Sequence, residues 1–358
     1  MTKKLAFEAL DRTLCDIMDS VFDRKKNLSF GGKVVVLGGD FKQVLPIIPK
    51  GSRVEVVMAS INSSVLWKYC KVLRLTKDMR LASGLEQSTA QELRSFLDWI
   101  LQISECQYGI VINDKLSVDI SSILIILVLQ NPVEDIINTI YPNLVQNFHN
   151  PSFFQDKAIL SPTVENVEEI NNYMVDLLPG EEKNYPSANL ICGSDAYSNV
   201  DIDWINVEFL NQIRCSGLPN HSLKLKIGVP IILLRNIDPA GGTNEIGADV
   251  VFGSNIWHKV FITRMNLIPS DTIIPFKFQY RQFLVSLSFA MTINKSQCQT
   301  LSIVGLFLHR PVFSHGQHYV ALFRVRNRNG LKILLCDEGL IDSIRTENVA
   351  FKEVFDKI

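Results

Sequence analysis

The chain has 358 residues, of which 47% are hydrophobic and 20% are charged, and its formal net charge is −1. This balance excludes a disordered chain, and because there is no overall basic field, any nucleic-acid contact has to come from a local groove. Seven cysteines without a C-x-x-C pair argue against a zinc site and against a disulfide framework, so we expect reduced thiols in a cytosolic or nuclear compartment.

The length suits two domains of ordinary size. The N-terminal sequence MTKKLAFEAL has no apolar signal core. The longest strongly apolar run, Ile123–Leu129, is far shorter than the ~20 residues that a membrane span needs. We therefore expect no membrane association and interpret this run as a buried strand or hairpin element.

The first elements lead to a turn that suits a phosphate. Residues 3–22 have helical spacing and predict an amphipathic helix packed on a sheet. Lys33–Leu37, KVVVL, predicts a strand covered on both faces, and it runs into a glycine-rich turn with Gly39, Asp40 and Gln43. At a strand's carboxyl end the two polar side chains can hydrogen-bond a γ-phosphate or an attacking water. The alternative is an ordinary strand-to-loop turn, where Asp and Gln are common.

A second predicted strand leads to an arginine. Cys70–Leu75, CKVLRL, predicts a strand and is followed by Arg80. The planar guanidinium of Arg80 suits phosphate contacts in a dry cleft, although a surface arginine is the alternative. Glu92–Leu101 has helical spacing. Residues 105–155 contain three prolines and are predicted to be a loop-rich connector.

A second domain is predicted to begin near Asp156. A strand at Ala158–Leu160 precedes a helix at Glu165–Leu178, and the polar residues 180–204 are interpreted as a surface excursion. Residues 206–283 then change to short β segments. These segments are Leu223–Ile227, Val229–Leu234, Val250–Phe252, Val260–Ile262 and Phe276–Phe278.

The stretch FAMTINKSQCQT, residues 289–300, has the strongest chemical pattern. The apolar run Leu284–Phe289 predicts a strand that stops at a polar loop, and Leu301–Leu308 is a second apolar run. Ligands in open α/β sheets sit beyond the carboxyl ends of strands. The loop offers one cation and several neutral donors, which suit a phosphate of a nucleotide or of a nucleic-acid backbone, and the alternative is a solvated loop. Its candidate residues are Thr292, Asn294, Lys295, Ser296 and Gln297.

Downstream, SHGQHYVALFRV at 314–325 predicts a helix from about Gln317 to Val325, followed by a strand at Leu331–Leu335. This segment, FAMTINKSQCQT and GGDFKQVLPI at 38–47 closely resemble motifs of the Pif1-like DNA helicases in the form found in plants and Helitron transposons. The resemblance implies an ATP- and Mg²⁺-dependent enzyme that binds single-stranded or forked DNA and unwinds DNA from five-prime to three-prime. It also implies roles in repair, recombination and telomere maintenance, in the nucleus or else the mitochondrion.

The resemblance implies an α/β fold with a partial first RecA-like domain at 1–104, the connector at 105–155 and a second RecA-like domain at 156–358. Within the second domain, 206–283 is an inserted small β-barrel, about a dozen residues short after IGVPIILLRNI. By the same resemblance Gln43 senses the γ-phosphate, Arg80 reaches the nucleotide phosphates and Arg324 is an arginine finger, which is worth roughly 10³–10⁵ in rate.

Several departures from the family pattern bear on activity. No P-loop string G-x-x-x-x-G-K-[ST] occurs in the 358 residues, and the family's acidic magnesium-binding pair is expected just upstream of Met1. Cys298 stands where the family has glycine, and Phe323 where it has serine. The expectation is the C-terminal part of a helicase, inactive as an isolated chain. A non-catalytic single-stranded DNA-binding or interaction protein, and a decayed transposon fragment or misassembled gene model, remain as alternatives, and the oligomeric state is not predicted.

Overall fold

The computed structural model describes residues 1–19, 28–76, 79, 87–112, 115–129, 131–191, 206–213, 218–234, 245–251, 256–269, 276–336 and 344–356. They form two compact units. Unit 1 consists of Met1–Ile136, Leu160–Asn166 and Thr292–Ile358, and unit 2 of Ile137–Ile159 and Val167–Met291. The domain boundaries at 104 and 156 stay a prediction.

The helices and strands mix along the chain, as the predicted α/β class requires. The α-helices of the described residues are α1 (Lys4–Asp19), α2 (Arg53–Met58), α3 (Gln87–Ser104), α4 (Pro132–Ile140), α5 (Leu144–Asn147), α6 (Val164–Leu177), α7 (Val207–Gln212) and α8 (Gln317–Phe323). Their strands are β1 (Ile110–Ile112), β2 (Lys115–Asp119), β3 (Lys157–Ser161), β4 (Lys183–Pro186), β5 (Ala188–Ile191), β6 (Ser222–Leu225), β7 (Ile231–Leu233), β8 (Glu245–Asp249), β9 (Lys259–Leu267), β10 (Phe278–Phe283), β11 (Val285–Leu287), β12 (Ala290–Thr292), β13 (Ile303–Leu308), β14 (Leu331–Leu335) and β15 (Arg345–Asn348). No helix in this described part of the chain has the length and apolar character to cross a bilayer.

The core of unit 1 is built on β13 and β14, which pair in parallel from Val304 opposite Leu331 to Leu308 opposite Leu335. Both sequences are nearly all apolar because both faces of the pair are covered. In hydrogen-bonded order the sheet reads β12-β3-β13-β14, and unit 1 holds β13, β14 and the ends of the other two strands. α8 is buried from Gln317 to Leu322 and packs against α3. A second, antiparallel sheet in the order β1-β2-β15 completes this unit.

Unit 2 contains mostly antiparallel strands from the region predicted to be an inserted barrel. Its largest sheet has the order β5-β10-β9-β8, and smaller pairs join β4 to β6 and β7 to β11. Two apolar clusters lie on these strands, one around Phe278 and Tyr280 and the other around Phe283 and Val285. Among the described strands β8 lies at a sheet edge. The segment around 238–246 that was predicted to be shortened lies outside the described residues except for its last two, which begin β8.

Several predicted elements are confirmed. α3, α6 and α8, and the strands β3, β13 and β14, lie where apolar periodicity or apolar runs placed them. α1 is also present, but the expectation that it packs on a sheet is wrong. It contacts the short 3-10 turns at Ser29–Gly32 and Ile61–Ser63, and only Met18 is buried among its side chains.

The predictions of strands at Lys33–Leu37 and Cys70–Leu75 are wrong. Lys33–Leu37 leaves the preceding turn in an extended conformation but pairs with no described strand, and Val34 and Val36 are 93% and 90% exposed. Cys70–Leu75 behaves in the same way, with Leu75 fully exposed. The physical reason is that a strand is completed by a neighbour that satisfies its backbone N–H and C=O groups, so composition alone cannot hold it in a sheet.

Two further expectations need correction. Ile123–Leu129 is not the predicted buried strand or hairpin, because its first residues form the end of a 3-10 turn. Further along the run, Ile126 N–H donates to the Ile333 carbonyl in β14 at 2.8 Å. The end of this run is exposed, because only its middle reaches a strand edge.

The connector 105–155 contains more regular secondary structure than predicted, since it includes β1, β2, α4 and α5. Pro132 is the first residue of α4, a position where proline is compatible with a helix.

Other bounds shift by a few residues. β8 precedes the predicted segment Val250–Phe252, β9 extends the segment at Val260–Ile262 to Leu267, and β10 begins where the segment at Phe276–Phe278 was expected to end. The polar residues 180–204 contain β4 and β5, and the remainder from 192 lies outside the described residues. The first and last residues of these strands therefore depend on backbone hydrogen bonding to neighbouring strands, and not on local polarity alone.

Candidate nucleotide and nucleic-acid site

The turn after Lys33–Leu37 is organised by Asp40. Its carboxylate accepts hydrogen bonds from the Lys42 backbone N–H at 2.9 Å and from the Gln43 side-chain Nε2 at 3.3 Å. Its carbonyl accepts the Gln43 backbone N–H at 3.2 Å. Gly39 has open space where a Cβ would point. The predicted polar pair is therefore brought together, with the Gln43 amide donating to Asp40.

The same turn is held from the other side by the SHG segment in front of α8. His315 Nε2 lies 2.8 Å from the Phe41 carbonyl oxygen. Gly316 has a φ of +75°, and a Cβ at this position would clash with the Lys42 carbonyl oxygen. Glycine is required here both by the left-handed backbone and by the close approach of the turn.

The tautomer of His315 follows from its two partners. The Phe351 backbone N–H can only donate, and it lies 2.7 Å from Nδ1, so Nδ1 carries no proton and Nε2–H donates to Phe41. Burial lowers the pKa of His315, which favours this neutral form. The imidazole thus links the turn to the C-terminal segment.

The loop after β12 is a capped 3-10 turn, Ile293–Ser296. Thr292 Oγ1 accepts the Lys295 backbone N–H at 3.4 Å, and Ser296 Oγ donates to the Ile293 carbonyl at 2.7 Å. Ser296 is fully buried, whereas Lys295 is exposed. Asn294 and Gln297 are half-buried, and the buried Asn294 Oδ1 has no hydrogen-bond partner. Lys295 is therefore the group that the loop presents, and Thr292 and Ser296 shape the loop.

Arg324 fixes this loop from the end of α8. The residue is 5% exposed, and its Nε donates to the Val320 carbonyl at 3.0 Å. Its Nη1 donates to the carbonyls of Gln299 at 3.0 Å and Ser296 at 3.5 Å. The neighbouring Phe323 ring stacks on Tyr319 at 5.2 Å. As placed here, the guanidinium holds backbone carbonyls of the loop together.

Cys298 lies in the left-handed region, with a φ of +66°, and is exposed. The resemblance gives glycine at this position, and the observed φ is one that glycine adopts readily. A Cβ in this conformation costs about 1–2 kcal/mol. The loop therefore carries local strain next to the carbonyls that Arg324 holds.

The structure does not bring all predicted site residues to one point. The backbone of Lys42 and Gln43 lies against Gly316 at the start of α8, whereas Arg324 follows its last residue. A seven-residue helix is about 10 Å long, so the backbone positions at its two ends lie roughly that far apart. Arg80 lies outside the described residues.

The described residues do not fit Mg²⁺–ATP. Mg²⁺ bound with ATP takes one or two carboxylates together with phosphate oxygens, and an arginine finger has to reach the transferred phosphate. The Asp40 carboxylate already accepts from Lys42 and Gln43, and the Arg324 guanidinium donates to backbone carbonyls. The described ranges also hold no group of three or more His, Cys, Asp or Glu side chains placed for a metal. We therefore assign no catalytic step to these groups.

Two contributors to this site had no role assigned from sequence, His315 and Gly316. Their signal is the His-Gly pair directly before a helix, where glycine often supplies a left-handed residue. The contact of His315 with Phe41 joins positions 274 residues apart, which no local pattern reveals.

Comparison with known proteins gives two family matches along the chain. Residues 1–111 match the PIF1-like helicase model, and residues 208–244 match that of the DNA helicase Pif1 2B domain. The second match falls within the β segments of the predicted inserted barrel.

Among curated proteins, the ATP-dependent DNA helicase PIF1 of Xenopus laevis is 28% identical over 188 residues, covering 49% of this chain and 27% of the relative. The chain thus spans about a quarter of this relative's length.

Solved structures of similar fold include Pif1 helicase from Candida albicans, with a TM-score of 0.57, 18% identity and coverage of 99% of this chain and 74% of that chain. Bacteroides Pif1 bound to ssDNA gives a TM-score of 0.56 at 18% identity, covering 99% of this chain and 72% of that chain. These neighbours confirm the predicted fold class of RecA-like α/β domains. Taken with the two family matches and the curated relative, they lead to one conclusion: the chain resembles the Pif1-like helicases, in sequence over residues 1–111 and 208–244 and in its fold.

Proposed function

We propose that this chain supplies single-stranded DNA contacts of a Pif1-like DNA helicase through the Thr292–Gln297 loop, and that the isolated chain does not hydrolyse ATP. Within a complete enzyme that also holds a P-loop, these contacts serve ATP- and Mg²⁺-dependent unwinding from five-prime to three-prime. Forked DNA, a nuclear or mitochondrial location, and roles in repair, recombination and telomere maintenance belong to the same proposal.

The observation that carries the DNA contact is the presentation of Lys295. Its side chain is exposed, while the loop around it is fixed by Thr292, the buried Ser296 and Arg324. A cation on a fixed loop binds a phosphate without a large ordering cost. The similar fold of a Bacteroides Pif1 bound to ssDNA supports the choice of partner.

The absence of turnover is proposed on the chemistry of the 358 residues. They contain no P-loop string, whose amides would cradle the phosphates of ATP. Arg324, the candidate finger, donates to three carbonyls. A steady-state phosphate-release assay of the purified chain with saturating oligo-dT should therefore stay at the buffer background, and turnover that rises with single-stranded DNA would contradict this part.

Fluorescence anisotropy with a labelled oligo-dT tests the DNA contact. We expect Lys295→Ala to weaken binding and to lower the salt dependence by about 0.7 in log–log slope, the value for one lost phosphate on a single strand. Lys3→Ala, an exposed lysine elsewhere, is the matched control. If Lys295→Ala binds oligo-dT as tightly as the parent, the Thr292–Gln297 loop does not contact the DNA. A parent chain that binds no DNA would favour the decayed-fragment alternative, which the exposed Val34 and Val36 also support.

A further inference from the structure

Two adjoining cavities lie along α3 in unit 1. The larger, of about 1040 Å³, lies between α3 and the segment 326–332 that leads into β14. The smaller, of about 450 Å³, extends toward the C-terminal half of α3. Ser95 and Arg328 line both cavities, so the two form one continuous feature, which we name the α3 groove. It uses none of the residues of the Thr292–Gln297 loop.

The larger cavity has the chemistry of a phosphate site. Arg326, Arg328 and Lys332 line it within seven positions of the chain, and Thr89 and Thr300 add hydroxyl groups. One carboxylate, Glu92, lies among them. Because the chain as a whole has a net charge of −1, this local excess of cations is a feature of the groove and not of the composition.

The smaller cavity offers aromatic surface. Trp99 and Tyr108 line it, and both are half-buried. The Trp99 ring is held by stacking on the buried Phe96, with the ring centroids 5.9 Å apart. Asp119 also lines this cavity, but its carboxylate accepts a hydrogen bond from Arg345 Nε at 2.5 Å, which offsets its charge. A fixed aromatic ring next to a row of cations is the combination that binds unpaired bases and their backbone.

We propose that the α3 groove binds a short stretch of single-stranded DNA, with phosphates at Arg326, Arg328 and Lys332 and an unpaired base on Trp99. The identity of the ligand rests on the proposed function, whereas the site is separate from the loop at Lys295. A duplex fits less well, because its bases are stacked inside and present no face to an aromatic ring. The contacts involve the backbone and a ring face, so little dependence on base sequence is expected.

The cation half of the groove is tested by charge reversal in the 358-residue chain, with binding of a labelled oligo-dT measured by anisotropy across a salt series. Arg328→Glu should weaken binding at least tenfold at low salt and lower the log–log salt slope by about 0.7 or more. Arg310→Glu is the matched control. It makes the same charge change on an exposed residue just after β13, at the opposite end of the parallel β13–β14 pair from Arg328. Equal loss in both variants would mean a general charge effect and would overturn the groove.

The aromatic half has its own readout, the quenching of tryptophan fluorescence by oligo-dT. Trp99→Phe keeps a ring and should bind within about twofold of the parent, but should lose most of the quenching. Trp99→Ala should weaken binding at least fivefold, because base stacking on an aromatic ring is lost. Quenching that persists in Trp99→Phe, or an equally tight complex with duplex DNA of the same length, would overturn the base contact. If Trp99→Ala does not fold, the quenching measured in Trp99→Phe still tests the base contact.

Lys295→Ala, measured in parallel, separates this inference from the proposed function. Loss of binding in Arg328→Glu alone supports DNA binding in the α3 groove and shows that the Thr292–Gln297 loop does not contact the DNA. Loss in Lys295→Ala alone supports the loop and overturns the groove. Loss in each variant, with slopes that add in the double variant, supports two contacts on one strand. A parent chain without affinity for single-stranded DNA overturns both.

Discussion

Arg324 donates a hydrogen bond from Nη1 to the carbonyl oxygen of Gln299 at 3.0 Å. With its bonds to Ser296 and Val320, this contact makes a buried guanidinium the tie between the end of α8 and the loop that presents Lys295.

Arg324→Ala should therefore destabilise the fold. Three carbonyls lose a charged donor in a buried site, and we expect a loss of about 2–4 kcal/mol in the free energy of unfolding, measured by urea denaturation. Arg328→Ala, an exposed arginine on the following turn, should change stability by less than about 0.5 kcal/mol. If both variants unfold at the same urea concentration, Arg324 does not tie the loop.

Cys298→Gly should stabilise the chain. The residue has a φ of +66°, where a Cβ costs about 1–2 kcal/mol of folding free energy. Glycine also gives the unfolded chain more conformational freedom, which offsets about 0.4–1 kcal/mol of this gain. A net gain of up to about 1 kcal/mol is expected in chemical denaturation. Cys298→Ala keeps the Cβ and should show no such gain, so a gain in both variants would point to the thiol and not to the backbone.

Gly316→Ala should be among the more damaging single changes in unit 1. The substitution meets a φ of +75° and a clash with the Lys42 carbonyl, which together should cost more than about 2 kcal/mol or displace the turn at Asp40. Thermal unfolding followed by circular dichroism measures the loss. Gly38→Ala is the control, because it has open space at the Cβ position and no positive φ. Comparable melting curves for the two alanine variants would exclude the proposed packing.

Stability should fall on acidification because of two buried histidines. Burial lowers the pKa of His315, and it lowers the pKa of His318 to about 4. His318 Nδ1–H donates to Asn348 Oδ1 at 3.3 Å, and Nε2 has no hydrogen-bond partner, so a second proton on the ring would enter a site without an acceptor.

A histidine with a depressed folded pKa binds protons better in the unfolded chain, so its contribution is complete above about pH 6.5 and is lost as pH falls toward 4. For His318 this amounts to about 3 kcal/mol over that window. Urea denaturation from pH 7.5 to 4.5 should show a shallower decline in His318→Asn, which keeps a donor for Asn348. The same decline in parent and variant would exclude His318 as a source.

The sequence was informative where local pattern and tertiary environment agree. The buried runs of β13 and β14 and the periodicity of α3, α6 and α8 are conditions that the residues themselves encode. It failed at Lys33–Leu37, because a strand needs hydrogen-bonding neighbours that composition cannot supply. α4 was hidden by Pro132, which reads as a loop signal but begins a helix.

The candidate site was predicted in part. The polar loop follows from residue types next to an apolar strand, and the left-handed position at Cys298 agrees with the glycine that the resemblance gives there. The burial of Arg324 and the His315–Phe41 contact do not, because they depend on packing between segments far apart in the chain. The nucleotide-binding roles of Gln43, Arg80 and Arg324 stay predictions.

The exposed valines of Lys33–Leu37 have a consequence for the colloidal behaviour of the purified protein. An exposed β-branched stretch that pairs with no described strand is a template onto which a second molecule can add its own strand. This short surface is thus one site from which the isolated chain can self-associate, and a lysine in place of Val34 or Val36 would act as a gatekeeper against fibrous growth.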